Sequence, residues 1–173
     1  MGEKIVVSVH SPDELSGDDR RSFVECILEG GEVNPATLTQ LLDRAHRVAF
    51  AKDGGVVQGV AGLKNPNVGY RNQTFKKAGV PDMAEKFARE LGWVYIKPQA
   101  RRRGISRDLV KKLLEHAQGA VYATSADVNQ GMHRVLRLFD FVPVGTAYAS
   151  RDGARAIQLF VLGHEGRCGK DYA

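Results

Sequence analysis

Cysteine is scarce in this 173-residue sequence, which contains two, and this excludes the disulfide-stapled secreted scaffolds that need several. Cys26 lies in a helical apolar pattern and is expected to be a small buried side chain, whereas Cys168 lies in a glycine-rich tail. No apolar run approaches the ~18 residues of a membrane-spanning helix, and the first residues lack the layout of a signal peptide. These absences predict a cytoplasmic protein.

Internal repeats, low-complexity runs and Pro/Ser-rich linkers are missing as well, so we expect one domain over residues 1–173. The net charge of +5 is local, because seven lysine and arginine residues stand between Lys97 and Lys112 beside one acidic residue, Asp108. A protein that coats nucleic acid usually spreads its positive charge along a face, interleaved with aromatic residues. The patch therefore favours a compact polyanion as the ligand.

Strand and helix signals alternate along the chain. Apolar runs predict strands at residues 4–10, 47–52, 56–63, 91–96, 121–125, 141–150 and 154–161. Cap residues and apolar stripes predict helices at residues 16–29, 34–44, 129–139 and from about Gly104 to Ala117. Residues 64–89 form a polar insert between strands 3 and 4, with helical stretches at 70–78 and 82–89. This order predicts an α/β fold with a mixed sheet of about seven strands flanked by helices.

A basic loop joins the fourth strand to the following helix. The strand ends at Pro98, a cluster of arginines follows, and the helix begins at or just after Gly104. The first-turn N–H groups of a helix have no internal partner and carry partial positive charge, so each arginine placed there costs about 0.3–1 kcal/mol. A bound anion reverses the sign of these terms and makes the loop a pyrophosphate site. The alternative is a solvated basic helix end that salt screens.

This stretch resembles motif A of the GNAT acetyltransferase superfamily, in which a strand ending V-x-P leads into Q/R-x-x-G-x-G/A. Ile96-Lys97-Pro98 and residues 101–106 match the motif, and Ser106 stands where the family usually has glycine or alanine. The resemblance implies an acyl-CoA-dependent N-acyltransferase with a GNAT-like domain. Acetyl-CoA is the expected cofactor, and the expected acceptor is a primary amine of a small molecule or protein.

The resemblance also implies a cofactor site. In the family, the acyl-CoA pyrophosphate rests on backbone N–H groups of this loop, while the strand before it pairs with pantetheine and splays from the next strand. Many members hold pantetheine through an asparagine at the start of the next helix, where Asn129 stands here, and a plain helix N-cap is the alternative. The implied cofactor-binding residues are Ile96, Arg101, Arg102, Arg103, Gly104, Ile105, Ser106 and Asn129.

Glu90 is the leading candidate for the catalytic base. An amine acceptor arrives mostly as ammonium and must lose a proton before it attacks the thioester. Glu90 precedes the basic loop at the spacing at which histone-acetylating members of the superfamily place their catalytic glutamate. Burial beside Leu91 and Trp93 would make it a better proton acceptor. The alternative is a solvated carboxylate at the end of a strand.

The general acid is harder to assign. Leu136 stands where the family often has a tyrosine that protonates the departing thiolate. Ser125, His133 and Tyr148 are the candidates, and an ordinary exposed helix residue is the alternative for His133. Protonation by water is the other route, because coenzyme A thiolate is a good leaving group.

Two other classes of function stay open. A GNAT fold without turnover could bind acyl-CoA as a sensor or partner protein, and Leu136 favours this class. The basic patch leaves room for a nucleic-acid-binding or nucleic-acid-modifying protein. The cationic side chains of residues 64–89 argue against a polycationic acceptor, although this segment could equally be a surface elaboration without a substrate role. No metal site is expected, and a homodimer is left open.

Overall fold

A computed structural model of the protein describes residues 4–31 and 33–163. In this part of the chain, the strands are Val6–His10 (β1), Arg47–Asp53 (β2), Val56–Lys64 (β3), Arg89–Ile96 (β4), Val121–Ala126 (β5), Val142–Ala149 (β6) and Ala156–Leu162 (β7). The α-helices are Gly17–Gly30 (α1), Pro35–Asp43 (α2), Val68–Lys77 (α3), Ile105–Leu114 (α4) and Gln130–Leu138 (α5). Short 3-10 helices cover Pro12–Glu14, Pro81–Lys86 and Pro98–Ala100.

The strands form one sheet in the order β1-β2-β3-β4-β5-β7-β6. Antiparallel ladders join β1 with β2, β2 with β3, β5 with β7 and β7 with β6, while β4 and β5 are parallel. The parallel ladder pairs residues 89–91 with residues 121–123. The predicted fold class is confirmed, because the sheet is mixed, has seven strands and is flanked by helices.

Local cap and turn residues explain why most boundaries lie close to the predicted ones. The side chains of Ser16 and Asn34 accept hydrogen bonds from first-turn N–H groups of α1 and α2, at the positions that the sequence indicates. Asp53 is followed by Gly54 and Gly55, both with positive φ, and these residues turn β2 into β3.

The helix predicted at residues 82–89 is wrong at its C-terminal end. A 3-10 helix covers Pro81–Lys86, and Arg89 already begins β4. The reason is tertiary, because Arg89 pairs with Val121 and the parallel ladder continues from there along both strands. Helix α4 likewise ends at Leu114, one turn before its predicted end.

The described chain divides into two compact units, and the first comprises residues 4–64 and 92–116. In this unit, α4 packs against β1, β2 and β3, and α1 packs against β3. Phe23 of α1 lies in its core, in edge contact with Phe50 and Trp93 at ring-centroid distances of 5.7 and 5.8 Å. This core supports the strand and the helix on either side of the basic loop.

The second unit comprises residues 65–91 and 117–163. Its core contains Phe75 of α3, which stacks on Phe87 at a ring-centroid distance of 5.4 Å and meets Tyr122 of β5 edge-on at 5.2 Å. The segment between β3 and β4 is mostly polar in sequence, but its two phenylalanines are fully buried. It is therefore part of the packing of this unit and not a surface elaboration.

Cys26 is buried in the core of the first unit, as predicted, and Cys168 lies outside the described residues. Within residues 4–31 and 33–163, no helix is long and apolar enough to cross a membrane. In the same residues, no group of three or more His, Cys, Asp or Glu side chains is placed to hold a metal ion. The single domain over residues 1–173 stays a prediction.

Candidate active site

The basic loop between β4 and α4 lies in the first unit and contains two left-handed residues. Strand β4 ends at Ile96, Pro98–Ala100 forms a 3-10 turn, and α4 begins at Ile105. Between these elements, Arg102 has a φ of 64° and Gly104 a φ of 75°. Glycine adopts this conformation freely, whereas arginine does so at a cost. Nests of backbone N–H groups that bind anions are built from residues in such conformations.

The first turn of α4 has no side-chain cap. Gly104 occupies the N-cap position and offers no side chain, so the first N–H groups of the helix receive no capping hydrogen bond. The other α-helices of the described chain are each capped by a side-chain oxygen, from Ser16, Asn34, Asn67 and Asn129. Free first-turn N–H groups with partial positive charge are the feature that binds anions at a helix start.

Two arginines of the loop are held by contacts within the first unit. Arg103 donates two hydrogen bonds to the Asp53 carboxylate, at 3.1 and 3.2 Å, and Arg101 donates from Nε to the Ile96 carbonyl at 3.2 Å. Arg102 is exposed. The crowding of positive charge that the sequence indicates is therefore partly relieved by Asp53, which lies 50 positions from Arg103 and carries no local signal of this role.

Strand β4 contains a strained residue, Trp93, whose φ of 54° lies in the left-handed region. A bulky residue in this region costs on the order of 1–3 kcal/mol, which the surrounding structure must offset. The indole packs against Phe23 and over Gly62 of β3, where an added Cβ would overlap the ring. The regular strand pattern of residues 91–96 did not indicate this irregularity.

Glu90, the predicted base, is buried in the second unit. It is 3% exposed, and both oxygens of its carboxylate accept hydrogen bonds from tyrosine hydroxyls. The Tyr70 hydroxyl of α3 donates to Oε1 at 3.4 Å, and the Tyr122 hydroxyl of β5 donates to Oε2 at 3.4 Å. Tyr122 stands opposite Glu90 in the parallel ladder, so both side chains lie on the same face of the sheet. Glu90 is therefore not a solvated carboxylate at the end of a strand, which was the alternative interpretation of its sequence position.

The tyrosines near Glu90 are held in the protonated form. The Glu90 carboxylate and burial raise the pKa of Tyr70, while burial and then Glu90 raise the pKa of Tyr122. Burial, followed by Glu90, raises the pKa of Tyr148 to about 12. A phenolate beside a buried carboxylate would bring two like charges together with little solvation. These phenols therefore remain hydrogen-bond donors at neutral pH.

Ser125 and His133, the predicted proton donors, belong to the opposite face of the sheet from Glu90. Side chains alternate along β5, and Ser125 stands three positions after the residue that faces Glu90. His133 of α5 packs edge-on against Phe160 at 4.9 Å, and Phe160 pairs with the β5 residue two positions before Ser125. Ser125 is 7% exposed and His133 is 6% exposed, and His133 Nε2 is buried without a hydrogen-bond partner. His133 is therefore not an exposed helix residue.

Asn129 is the N-cap of α5. Its side-chain oxygen accepts a hydrogen bond from the Met132 N–H at 3.1 Å, which is the structural role that the sequence left as the alternative. A contact of Asn129 with pantetheine stays a prediction. Leu136, which stands at the usual tyrosine position, is fully buried in the core.

The sequence matches the model of the Acetyltransferase (GNAT) family over residues 13–141, which is well over half of the chain and includes all five α-helices of the described residues. The protein belongs to this family. No match was found among curated proteins.

Solved structures of other proteins have the same fold as this chain. Escherichia coli ElaA is 14% identical with a TM-score of 0.64, and the match covers 91% of this chain and 99% of that one. The structure of yncA from Salmonella typhimurium with its cofactor acetyl-CoA is 14% identical with a TM-score of 0.62, covering 99% and 100%. Diaminobutyrate acetyltransferase EctA from Paenibacillus lautus, in complex with L-2,4-diaminobutyric acid and coenzyme A, is 16% identical with a TM-score of 0.60, covering 92% and 96%. At these identities, the likeness shows the fold alone.

Proposed function

We propose that this protein is an acetyl-CoA-dependent N-acetyltransferase that acetylates a primary amine by direct attack on the thioester. The observation that carries the proposal is Glu90, a carboxylate that is 3% exposed and accepts a phenol hydrogen bond on each oxygen. Buried carboxylates with ordered donors are frequent among catalytic bases. Membership of the GNAT family supports the same activity. A cytoplasmic location is part of the proposal and rests on the sequence.

The start of α4 would hold the pyrophosphate of acetyl-CoA. Its first-turn N–H groups, those of residues 105–106 included, have no side-chain cap, and Arg102 and Gly104 are in the left-handed conformation of anion-binding nests. Arg101 and Arg103 add positive charge beside them. These residues fit a diphosphate. When bound, acetyl-CoA supplies an activated thioester carbonyl.

Glu90 would accept the proton that the acceptor ammonium must lose. A lysine-like ammonium has a pKa of about 10.4, so the acceptor arrives protonated at neutral pH. Tyr70 is 47% exposed while Glu90 is almost inaccessible, and the acceptor would therefore approach the carboxylate beside the Tyr70 ring. Hydrogen bonds from Tyr70 and Tyr122 fix the orientation of the carboxylate, which keeps the base aligned for proton transfer.

Ser125 and His133 would act on the other face of the sheet, where the departing sulfur needs a proton or a hydrogen-bond donor. Both side chains are buried, and the unpartnered His133 Nε2 has hydrogen-bonding capacity that no described residue uses. Protonation by water stays the alternative.

An amine library incubated with acetyl-CoA and analysed by mass spectrometry tests this activity. We expect at least one primary amine to gain an acetyl group. Glu90→Gln should lower kcat about 100-fold or more and leave the Kd for acetyl-CoA unchanged, as for the loss of a general base.

Glu115→Gln is the matched control, because Glu115 is an exposed residue paired with Lys112. Full activity of Glu90→Gln would remove Glu90 from the mechanism. Binding of acetyl-CoA without transfer to any amine would favour a module that binds the cofactor and does not turn over.

A further inference from the structure

Arg71 follows Tyr70 in α3 and has an incomplete set of hydrogen bonds. Its Nε is buried and has no partner, while the residue as a whole is partly exposed. A guanidinium is always charged, and a buried donor without a partner is destabilising, the more so where the group is charged. Native structures seldom leave such a donor unpaired, and each case calls for an explanation.

The geometry of α3 places Arg71 on the helix face that meets Tyr122. Arg71 and Phe75 are four residues apart, so they lie on the same face of the helix. Phe75 meets Tyr122 edge-on at 5.2 Å, and the Tyr122 hydroxyl donates to Glu90. Burial and Glu90 raise the pKa of Tyr122 while the positive charge of Arg71 acts in the opposite direction, which agrees with this placement.

The Glu90 carboxylate bonds the Tyr122 hydroxyl, and Arg71 lies on the helix face that meets the same tyrosine, so Tyr122 of the second unit stands between elements that carry opposite charges. A carboxylate accepts hydrogen bonds from an ammonium group, and a guanidinium can donate two parallel hydrogen bonds to a carboxylate. A molecule that carries both groups complements the pair. A polycationic amine would leave Arg71 unpaired and would be repelled by it.

We propose that Arg71 binds a carboxylate of the acceptor, and that the acceptors of this enzyme are amino acids, which carry a primary amine and a carboxylate. The inference rests on the proposed function, because it names the acceptor of the same site. In the transfer, the amine nitrogen gains the acyl carbon and the carbon–sulfur bond breaks. Glu90 takes one proton of the ammonium, and the leaving sulfur receives another.

Three pairs of acceptors that differ by one carboxylate test the proposal: lysine and cadaverine, ornithine and putrescine, phenylalanine and phenethylamine. Calorimetry measures the Kd of each molecule for the protein with coenzyme A present, and mass spectrometry measures acetyl transfer. In at least one pair, the carboxylated member should bind about tenfold more tightly than its partner. Arg71→Gln should remove this difference, because the guanidinium fork is lost.

Two further variants sharpen the test. Arg71→Lys should keep part of the preference, since it retains the charge without the fork. Arg134→Gln alters an exposed arginine of α5 and should leave the preference unchanged.

The outcomes separate this inference from the proposed function. It is overturned if no carboxylated acceptor binds more tightly than its partner, the absence of any binding included. It is also overturned if the preference survives in a folded Arg71→Gln variant. A preference in binding without acetyl transfer would support Arg71 and count against the proposed activity, whereas acetyl transfer without a preference would do the reverse.

Discussion

At the scale of single residues, Arg102 combines a strained backbone with an exposed charge, and substitution can separate the two. Its φ of 64° is unusual for a residue with a side chain, and such strain is typical of ligand sites, where the surrounding structure imposes it. If the loop binds a diphosphate, the guanidinium and the backbone should each contribute. Arg103 is less suitable for this test, because its bonds to Asp53 also hold the loop.

Arg102→Gly keeps the left-handed φ and removes the charge, whereas Arg102→Glu reverses the charge. We expect the Kd for acetyl-CoA to rise about threefold in the first variant and at least tenfold in the second, because an exposed ionic contact contributes about 0.3–1 kcal/mol. Calorimetry measures the Kd of each variant for acetyl-CoA at low and at high salt. High salt should reduce the difference in Kd between Arg102→Glu and the natural protein. Arg21→Glu makes the same charge change at an exposed residue of α1 and serves as the control. Equal affinities in all three variants would contradict the pyrophosphate assignment.

The placement of Glu90 near the start of β4 and of the basic loop before α4 could be predicted from the sequence, because both belong to one continuous stretch of strand, loop and helix start. The phenols that hold Glu90 could not be predicted, since Tyr70 and Tyr122 lie 20 and 32 positions away. A hydrophobic pattern indicates which face of a strand is buried, but it does not specify which residue of the next strand stands opposite. Asp53, the partner of Arg103, was missed for the same reason.

At the scale of elements, α3 is the segment on which the proposed acceptor site depends. It carries Tyr70 and Arg71, and its C-terminal end is fixed by β6, where the Thr146 N–H donates to the Ala78 carbonyl at 2.9 Å. Gly145 beside it has a φ of 65°, and an added Cβ would overlap the Ala78 carbonyl oxygen. Glycine is therefore required at this position for two independent reasons.

Gly145→Ala should displace the end of α3 and lower the free energy of unfolding by about 2–4 kcal/mol, since left-handed strain and overpacking add. Gly153→Ala is the matched control, because Gly153 has a φ of 71° and open space where its Cβ would stand. It should cost only about 1–2 kcal/mol. Urea unfolding of both variants measures the difference, which isolates the contact with α3. Equal losses would show that this contact does not hold the helix.

Most elements could be predicted because their signals are local. Ser16 and Asn34 mark the starts of α1 and α2, and strand periodicity marks the sheet. The segment before β4 was predicted less well, because its buried phenylalanines, Phe75 and Phe87, are separated by polar residues and lie outside any single helical stripe. Their common core forms only when α3 and β5 meet.

At the scale of the whole molecule, the tyrosines near Glu90 connect protonation with stability. Tyr148 has a pKa of about 12 in the folded protein, raised from 10.0 by burial and Glu90. Between these two values, the folded state keeps a proton that the unfolded chain has lost. The stabilisation from Tyr148 is therefore complete below about pH 10 and is lost as the pH rises toward 12.

Urea unfolding of the natural protein and of Tyr148→Phe, from about pH 9 to pH 12, measures this contribution. The difference in free energy of unfolding between the two should be constant up to about pH 10. Above about pH 10, the free energy of unfolding of the natural protein should fall relative to that of Tyr148→Phe by about 1.4 kcal/mol per pH unit. Phenylalanine keeps the ring and removes the titrating hydroxyl, so other groups cancel in the difference. A constant difference throughout would mean that Tyr148 titrates as an exposed phenol. The placement of a buried carboxylate anion next to Tyr148 would then be wrong, and the assignment of Glu90 as the base depends on that placement.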